Sequence, residues 1–187
     1  MKQSEFKTTF DHTINTLNPQ DHLFFFDAAT VQHSATKTRV WGEKAHQPIL
    51  PIIGGRKKMH LIGAIEPAGD KGWFADCPTL GAKELIGFLK GILHQYPEGQ
   101  IHMVLDNARA HHAKRVTDFV IQQDRLHLLY LPPYSPDFNP IEDFWRMLRK
   151  DVTHNTYYPT FEEFRTAIVD YVTQFKYPTG KIASLAK

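Results

Sequence analysis

The chain has 187 residues, of which 42% are hydrophobic and 22% charged, and this ordinary globular balance excludes a disordered or fibrous protein. Its length fits one compact domain with a sizeable core, and its single cysteine, Cys77, cannot form an internal disulfide, so the chain suits a reducing cytoplasm. The formal net charge of +2 is lower than a free-standing binder of duplex DNA usually carries.

The N-terminal segment contains no uninterrupted apolar stretch, so neither a signal peptide nor a membrane span is predicted there. Residues 5–17 instead place four apolar side chains at helical spacing: Phe6, Phe10, Ile14 and Leu17. We interpret residues 1–22 as a helical lead-in and residues 23–187 as the main domain.

The first strand signal is the apolar run from Leu23 to Phe26, which is followed by Asp27. A continuous apolar run predicts a strand that is buried on both faces, here with a carboxylate at its exit. Further strand signal lies around 49–53, at 59–65 and near 72–75, and four glycines mark turns between these segments: Gly54, Gly55, Gly69 and Gly72. Together these segments predict an antiparallel meander.

The hydrophobic period then changes, and residues 79–96 predict a helix that Pro97 closes. Its apolar face consists of Leu85, Phe88, Leu89, Ile92 and Tyr96. Residues 101–105 predict a second buried strand, which ends in Asp106. A helix over 110–122 and a short strand over 127–131 follow.

A proline-rich loop over 132–140 leads into a helix with favourable start chemistry. Asn139 is predicted as the N-cap, Pro140 as the first helical residue and Glu142 as the third. A last helix begins at the capping box formed by residues 160–163. This order of elements predicts an α/β fold in which helices cover a mixed sheet.

The two predicted strands that end in aspartate bring their carboxylates to the same edge of the sheet if the strands are neighbours. Paired carboxylates repel each other, and the usual compensation is a divalent cation such as magnesium or manganese. A third carboxylate at a helix start completes a site for two ions, which suits in-line displacement at a phosphodiester. We therefore predict Asp27, Asp106 and Glu142 as catalytic residues and metal ligands.

Each member of this trio also has a purely structural interpretation. Asp27 can be a turn residue, Asp106 can cap the following helix, and Glu142 can serve the helix dipole. Asp143 and Asp137 are alternatives to Glu142. A zinc site built on His102, His111 and His112 is a further alternative, but no cysteine or additional histidine completes a tetrahedral set.

Three basic clusters interrupt the otherwise neutral sequence: residues 56–58, Lys114 with Arg115, and Arg146 with Arg149 and Lys150. Each alone can be a solvated face. We expect the second and third clusters to contact the DNA backbone, with Arg146 and Lys150 on one helix face because they lie four residues apart.

The stretches FFFDAAT, MVLDNARAHHAKRV and LPPYSPDFNPIEDFWRMLRKDV resemble the three catalytic blocks of mariner-superfamily transposases, especially the bacterial insertion-sequence 630 type. That family carries an Asp-Asp-Glu (DDE) triad with a gap in the mid-thirties between its last two members, and 35 residues separate Asp106 from Glu142 here. The resemblance implies an RNase H-like fold, two Mg²⁺ or Mn²⁺ ions on the triad, nicking at transposon ends and strand transfer by the freed 3′ hydroxyl. It covers about Leu23 to Val172.

Two departures from the family pattern stand out. Members often have a second acidic residue after the first aspartate, where this chain has Ala28, and about 22 residues precede the first strand, too few for the helix-turn-helix modules of a complete transposase. We expect another segment or chain to supply such a module, and we expect DNA to be the partner. We expect no membrane contact and a cytoplasmic, bacterial setting. A homodimer is compatible with the resemblance. The alternatives are a related nuclease without strand transfer and a decayed or repurposed remnant that binds DNA without catalysis.

Overall fold

The computed structural model of the chain describes residues 3–34, 36, 38, 57–69, 71–132 and 138–175. In these residues lie five strands and five α-helices, together with a 3₁₀ turn at Pro67–Gly69 and a π-helical turn at Arg149–Thr153. In chain order the elements are α1 Gln3–Thr16, β1 His22–Gln32, β2 Lys58–Glu66, β3 Lys71–Cys77, α2 Ala82–Gln95, β4 Ile101–Leu105, α3 Lys114–Ile121, β5 Leu126–Tyr130, α4 Ile141–Leu148 and α5 Phe161–Thr173.

The five strands form one mixed sheet in the order β3-β2-β1-β4-β5. Strands β1, β2 and β3 are antiparallel neighbours, whereas β4 is parallel to β1 and β5 is parallel to β4. The predicted meander and mixed sheet are therefore confirmed. The predicted strand at 49–53 and the turn glycines Gly54 and Gly55 lie outside the described residues.

The central strand β1 supplies side chains to two hydrophobic cores, one on each face of the sheet. Phe24 and Phe26 pack among the residues of α2 and α3, and Phe25 packs on the opposite face among residues of α1, α4 and α5. All three are at most 6% exposed. Burying each contributes about 2–3 kcal/mol of hydrophobic free energy, which explains why this strand reads as a continuous apolar run.

Strand β1 does not end before Asp27, as the sequence predicted, but continues to Gln32. The reason is its antiparallel partner, since Asp27 pairs with Gly63 and the pairing extends to Gln32 with Lys58. Gly72 lies inside β3 rather than at a turn. A Cβ there would come 2.6 Å from the ring of Phe74, so close packing explains this glycine.

The start of α3 differs from prediction, whereas the start of α5 is confirmed. Helix α3 begins at Lys114 rather than at 110, because residues 109–112 form a turn after Asp106. Helix α5 begins as predicted, with the Thr160 hydroxyl accepting a hydrogen bond from the Glu163 amide at 3.2 Å.

Within the described part of the chain, no helix has the length and apolar character needed to cross a membrane.

Candidate active site

Asp27 and Asp106 lie side by side on neighbouring parallel strands. The β1–β4 pairing ends with Phe25 opposite Val104, and both aspartates stand two residues beyond that pair. They line a common cleft of about 210 Å³, together with apolar side chains and His111. The structure thus brings these two predicted residues to one edge of the sheet, although only β4 ends there.

The carboxyl group of Asp27 is largely enclosed. Its Oδ2 atom accepts a hydrogen bond from the indole Nε1 of Trp145 at 3.0 Å. Burial is the main cause that raises the pKa of Asp27 to about 7, and the negative charges of Glu142 and Asp106 raise it further. Ionising Asp27 in the metal-free protein is therefore costly, which is typical of a carboxylate whose charge a cation normally offsets.

In contrast to Asp27, the surroundings of Asp106 favour its ionised form. Its Oδ1 atom accepts hydrogen bonds from the Ala108 amide at 3.0 Å and from His111, whose Nδ1 lies 2.9 Å away. The bond from His111 is the main cause that lowers the pKa of Asp106. Burial alone lowers the pKa of His111, but its bonds to Asp106 outweigh burial, so the histidine is held protonated above its ordinary range.

Glu142 reaches this edge of the sheet on α4, but the helix start differs from prediction. Helix α4 begins at Ile141, so Glu142 is its second residue, and Pro140 occupies the N-cap position without a side-chain bond. The Asn139 amide instead donates from Nδ2 to the Phe26 carbonyl at 3.2 Å, while its backbone carbonyl accepts from the Glu142 amide. A tertiary bond to β1 has replaced the predicted cap.

Glu142 is better placed than its alternatives. It interacts electrostatically with Asp27, whereas the neighbouring Asp143 is bound to Arg146 on the same helix. Asp137 lies outside the described residues. The geometry therefore favours Glu142 over Asp143 as the third carboxylate at this edge.

The donors at this edge have the chemistry of a hard-cation site, because carboxylate oxygens are what Mg²⁺ and Mn²⁺ prefer. Within the described part of the chain, however, no three His, Cys, Asp or Glu side chains meet closely enough to hold an ion. Asp27 and Asp106 thus share one cleft, and Glu142 lies near enough to affect the charge of Asp27, but these described residues do not form a metal-binding cluster. Three like charges at ligand distance repel each other until a cation offsets them.

The alternative zinc residues do not form one group. His111 bonds to Asp106 and His112 to the neighbouring Asn107, but His102 stacks on His127 near the other end of β4, with ring centroids 4.9 Å apart. Burial raises the pKa of the Cys77 thiol, which is the opposite of what a nucleophilic thiolate needs.

Four of the five predicted DNA-contacting residues are exposed, and the fifth, Arg149, is half-buried. Lys114, at the start of α3, forms an ion pair with Asp118 at 4.0 Å, and Arg115 beside it is exposed. Arg146 is exposed on α4, whereas Arg149 and Lys150 belong to the π-helical turn that continues it. Because the α-helix ends at Leu148, Arg146 and Lys150 do not share one α-helical face as the sequence predicted.

Two residues of this region were not predicted as part of the site. Trp145 and His111 each donate a hydrogen bond to one of the aspartates, and each is buried. The only sequence signal for Trp145 is its position three residues after Glu142, close to one helical turn. The sequence offers His111 as an alternative zinc ligand and carries no signal for its bond to Asp106.

Comparison with known proteins identifies the family of the chain. Residues 22–165 match the model of the DDE superfamily endonuclease family. The chain is also 23% identical over 137 residues to the insertion element IS630 uncharacterized 39 kDa protein of Shigella sonnei, covering 72% of this chain and 40% of that protein. It is 32% identical over 83 residues to the Tc3 transposase of Caenorhabditis elegans, covering 44% of this chain and 25% of that protein.

Solved structures of similar fold include transposase complexes. The Mos1 transposase paired-end complex with the left transposon end superposes with a TM-score of 0.67 at 14% identity, covering 92% of this chain and 53% of that chain. The catalytic domain of Mos1 mariner transposase superposes with a TM-score of 0.64 at 12% identity, covering 92% and 79%. This chain thus spans about half the length of the complete relatives that it matches. The predicted RNase H-like fold is confirmed, and the chain belongs to the DDE superfamily endonuclease family.

Proposed function

We propose that this chain is the catalytic domain of a metal-dependent DNA transposase, in which Asp27, Asp106 and Glu142 bind the divalent cations. The observation that carries the proposal is the β1–β4 register, which sets Asp27 beside Asp106, with Glu142 on α4 close enough to raise the pKa of Asp27. Family membership supports the same assignment, because the DDE name refers to such a trio.

Divalent cations fit the carboxylate donors at this edge. The surroundings of Asp27 disfavour its ionised form, and a bound cation would offset the free-energy cost of that negative charge. Among the similar solved structures, Mos1 paired-end complexes contain Mg or Mn. We extend this to two ions in the present chain, since three carboxylates supply enough oxygen ligands to share between them.

Bound ions would supply Lewis acidity, activating the attacking oxygen and stabilising the leaving oxygen of a phosphodiester. The residues of the chain prepare that chemistry. His111 and the Ala108 amide hold Asp106 ionised and oriented before any ion binds. Helix α4 carries Glu142, and the exposed cations Arg146 and Lys150 lie further along the same segment, where they can hold the DNA backbone.

DNA recognition would require a second module. The Mos1 complexes contain transposon-end DNA or are strand-transfer assemblies, and this chain covers about half of those proteins. Sequence is read by side chains delivered to base edges, usually from a helix in the major groove. We propose that a helix-turn-helix segment supplies this function, and that a homodimer brings two transposon ends together.

The proposal is tested with labelled duplexes that carry the parent element's terminal repeat or a scrambled sequence, in Mg²⁺ or Mn²⁺. We expect nicking with little preference between the two duplexes and, on a precut end with a free 3′ hydroxyl, joining to a target plasmid. Glu142→Gln should lower the nicking rate more than about 100-fold, whereas the matched control Asp143→Asn should stay within about threefold.

The outcomes separate the competing functions. Nicking without joined products supports a nuclease, and binding without any nicking supports a non-catalytic remnant. Equal nicking by Glu142→Gln and the unmodified chain contradicts the assignment of Glu142. A strong preference of this chain alone for the terminal repeat contradicts recognition by a second module.

A further inference from the structure

Trp145 lies directly against Asp27, although it is a residue of α4 and separated from Asp27 by 118 positions. Its side chain is 1% exposed, so its indole N–H cannot reach bulk water. That N–H donates to Oδ2 of Asp27 at 3.0 Å. A buried donor needs an acceptor, and Asp27 provides it.

The sheet is shaped to admit this indole ring. Gly63 is the cross-strand partner of Asp27, and a Cβ added there would lie 3.2 Å from Cη2 of Trp145 and 2.5 Å from Cδ1 of Phe74. Phe74 and Phe144 pack on the indole, with ring centroids 5.7 Å and 5.1 Å away. The ring is therefore fixed by bare backbone on one side and aromatic rings on the other, so its N–H points in a defined direction.

Asn139, just before α4, and Trp145, within α4, bond to two consecutive residues of β1. Asn139, which is 5% exposed, donates from Nδ2 to the carbonyl of Phe26, and Trp145 donates to the side chain of Asp27. The same helix carries Glu142, three residues before Trp145. The position of Glu142 and the orientation of Asp27 are consequently set by one rigid element.

From this geometry we propose that Trp145 is a positioning residue, which fixes the rotation of the Asp27 carboxylate by engaging Oδ2 and so orients the group to bind a divalent cation. The inference rests on the proposed function, in which Asp27 is a metal ligand. Hydrogen-bond partners of metal ligands commonly change metal affinity by about 10- to 100-fold when they are removed.

The test compares Trp145→Phe, which keeps an aromatic ring but removes the donor, with Trp73→Phe as the matched control. Trp73 packs on the opposite face of the sheet, against Phe24 and Tyr96. Binding of Mn²⁺ is measured by electron paramagnetic resonance of the free ion. We expect Trp145→Phe to weaken Mn²⁺ binding about tenfold and Trp73→Phe to change it less than about twofold.

A spectroscopic readout separates orientation from general stability. In protein labelled with ¹⁵N-tryptophan, the Trp145 indole N–H resonance is identified by its absence from Trp145→Phe. We expect it to shift in Asp27→Asn and on addition of Mg²⁺, while the Trp73 resonance stays in place. In the nicking assay, Trp145→Phe should lower kcat with little change in KM for DNA, because the DNA-contacting surface is intact.

Failure of the inference and failure of the proposed function give different results. If Asp27→Asn binds Mn²⁺ as the unmodified chain does, Asp27 is not a ligand and the proposed function fails. If Asp27→Asn loses Mn²⁺ binding but Trp145→Phe does not, only the positioning role of Trp145 is wrong. If Trp145→Phe does not fold, benzothienylalanine is introduced at position 145, because it keeps the ring shape and removes the N–H. Mn²⁺ binding by that protein is then compared with binding by Asp27→Asn in the same way.

Discussion

Asp27→Asn should stabilise the metal-free protein, because it removes a carboxylate that the fold disfavours when ionised. The pKa of Asp27 is raised from 3.8 to about 7, and each pKa unit corresponds to about 1.36 kcal/mol. The difference of about three units sets a ceiling of about 4 kcal/mol. Asparagine has nearly the same shape and keeps an oxygen acceptor for Trp145, so little packing is lost.

The sign of the pH dependence follows from the direction of the shift. A carboxyl group with a raised pKa in the folded state stays protonated there while it ionises in the unfolded chain, so stability present at acid pH is lost as the pH rises from about 4 to about 7. The advantage of Asp27→Asn should be near zero at about pH 4, grow through this window and remain constant above about pH 7.

The assay is urea unfolding in EDTA at about pH 4.5 and about pH 8, with Asp143→Asn as the matched control. We expect Asp27→Asn to gain about 1–3 kcal/mol at the higher pH, below the ceiling because water and side-chain relaxation reduce the cost of the charge. The control should gain nothing, since Asp143 is paired with Arg146. Added Mg²⁺ should stabilise the unmodified chain and not the variant. A gain of equal size at both pH values, or none at pH 8, would refute this reasoning.

Two further predictions concern the surface and the last helix. Replacing Arg146 and Lys150 with glutamine should weaken duplex binding and reduce the salt slope by roughly 2, as measured by fluorescence anisotropy at several salt concentrations, whereas Lys90→Gln on α2 should leave the slope unchanged. An unchanged slope in the double variant would mean that Arg146 and Lys150 are only a solvated face. Thr160→Ala removes the hydroxyl that accepts from the Glu163 amide and should cost about 1 kcal/mol, or roughly 2–4 °C in Tm by calorimetry, with Mn²⁺ affinity unchanged. Loss of Mn²⁺ affinity in Thr160→Ala would show that α5 supports the site directly.

The strands that position the aspartates were predictable because their burial requires a continuous run of apolar residues in the local sequence. Strands β1 and β4 are covered on both faces, and such strands must be apolar throughout, so the first acidic residue after each run was visible in the sequence. The continuation of β1 to Gln32 was not predictable in the same way. It depends on pairing with β2, and a strand partner distant in the chain leaves no local signal.

The identities of the candidate site residues were more predictable than their surroundings. The gap between Asp106 and Glu142 is a property of the chain, whereas the bond from Trp145 to Asp27 exists only after folding. Asn139 illustrates the same limit. Its residue type favours an N-cap, but in the fold its amide bonds to the Phe26 carbonyl instead, because tertiary contacts override local preference.

The parallel pairing of β1 with β4 also constrains how the protein can fold. His22 pairs with Ile101, so the contact closes a loop of 79 residues, and the entropy of that closure amounts to about 4 kcal/mol plus a constant. Contacts of such long range slow folding, and their cost must be met before they stabilise anything. Asp27 and Asp106 belong to opposite sides of this closure, so a nascent chain that has not yet completed β4 has only one of them in place. The two carboxylates therefore come together only once β4 has paired with β1.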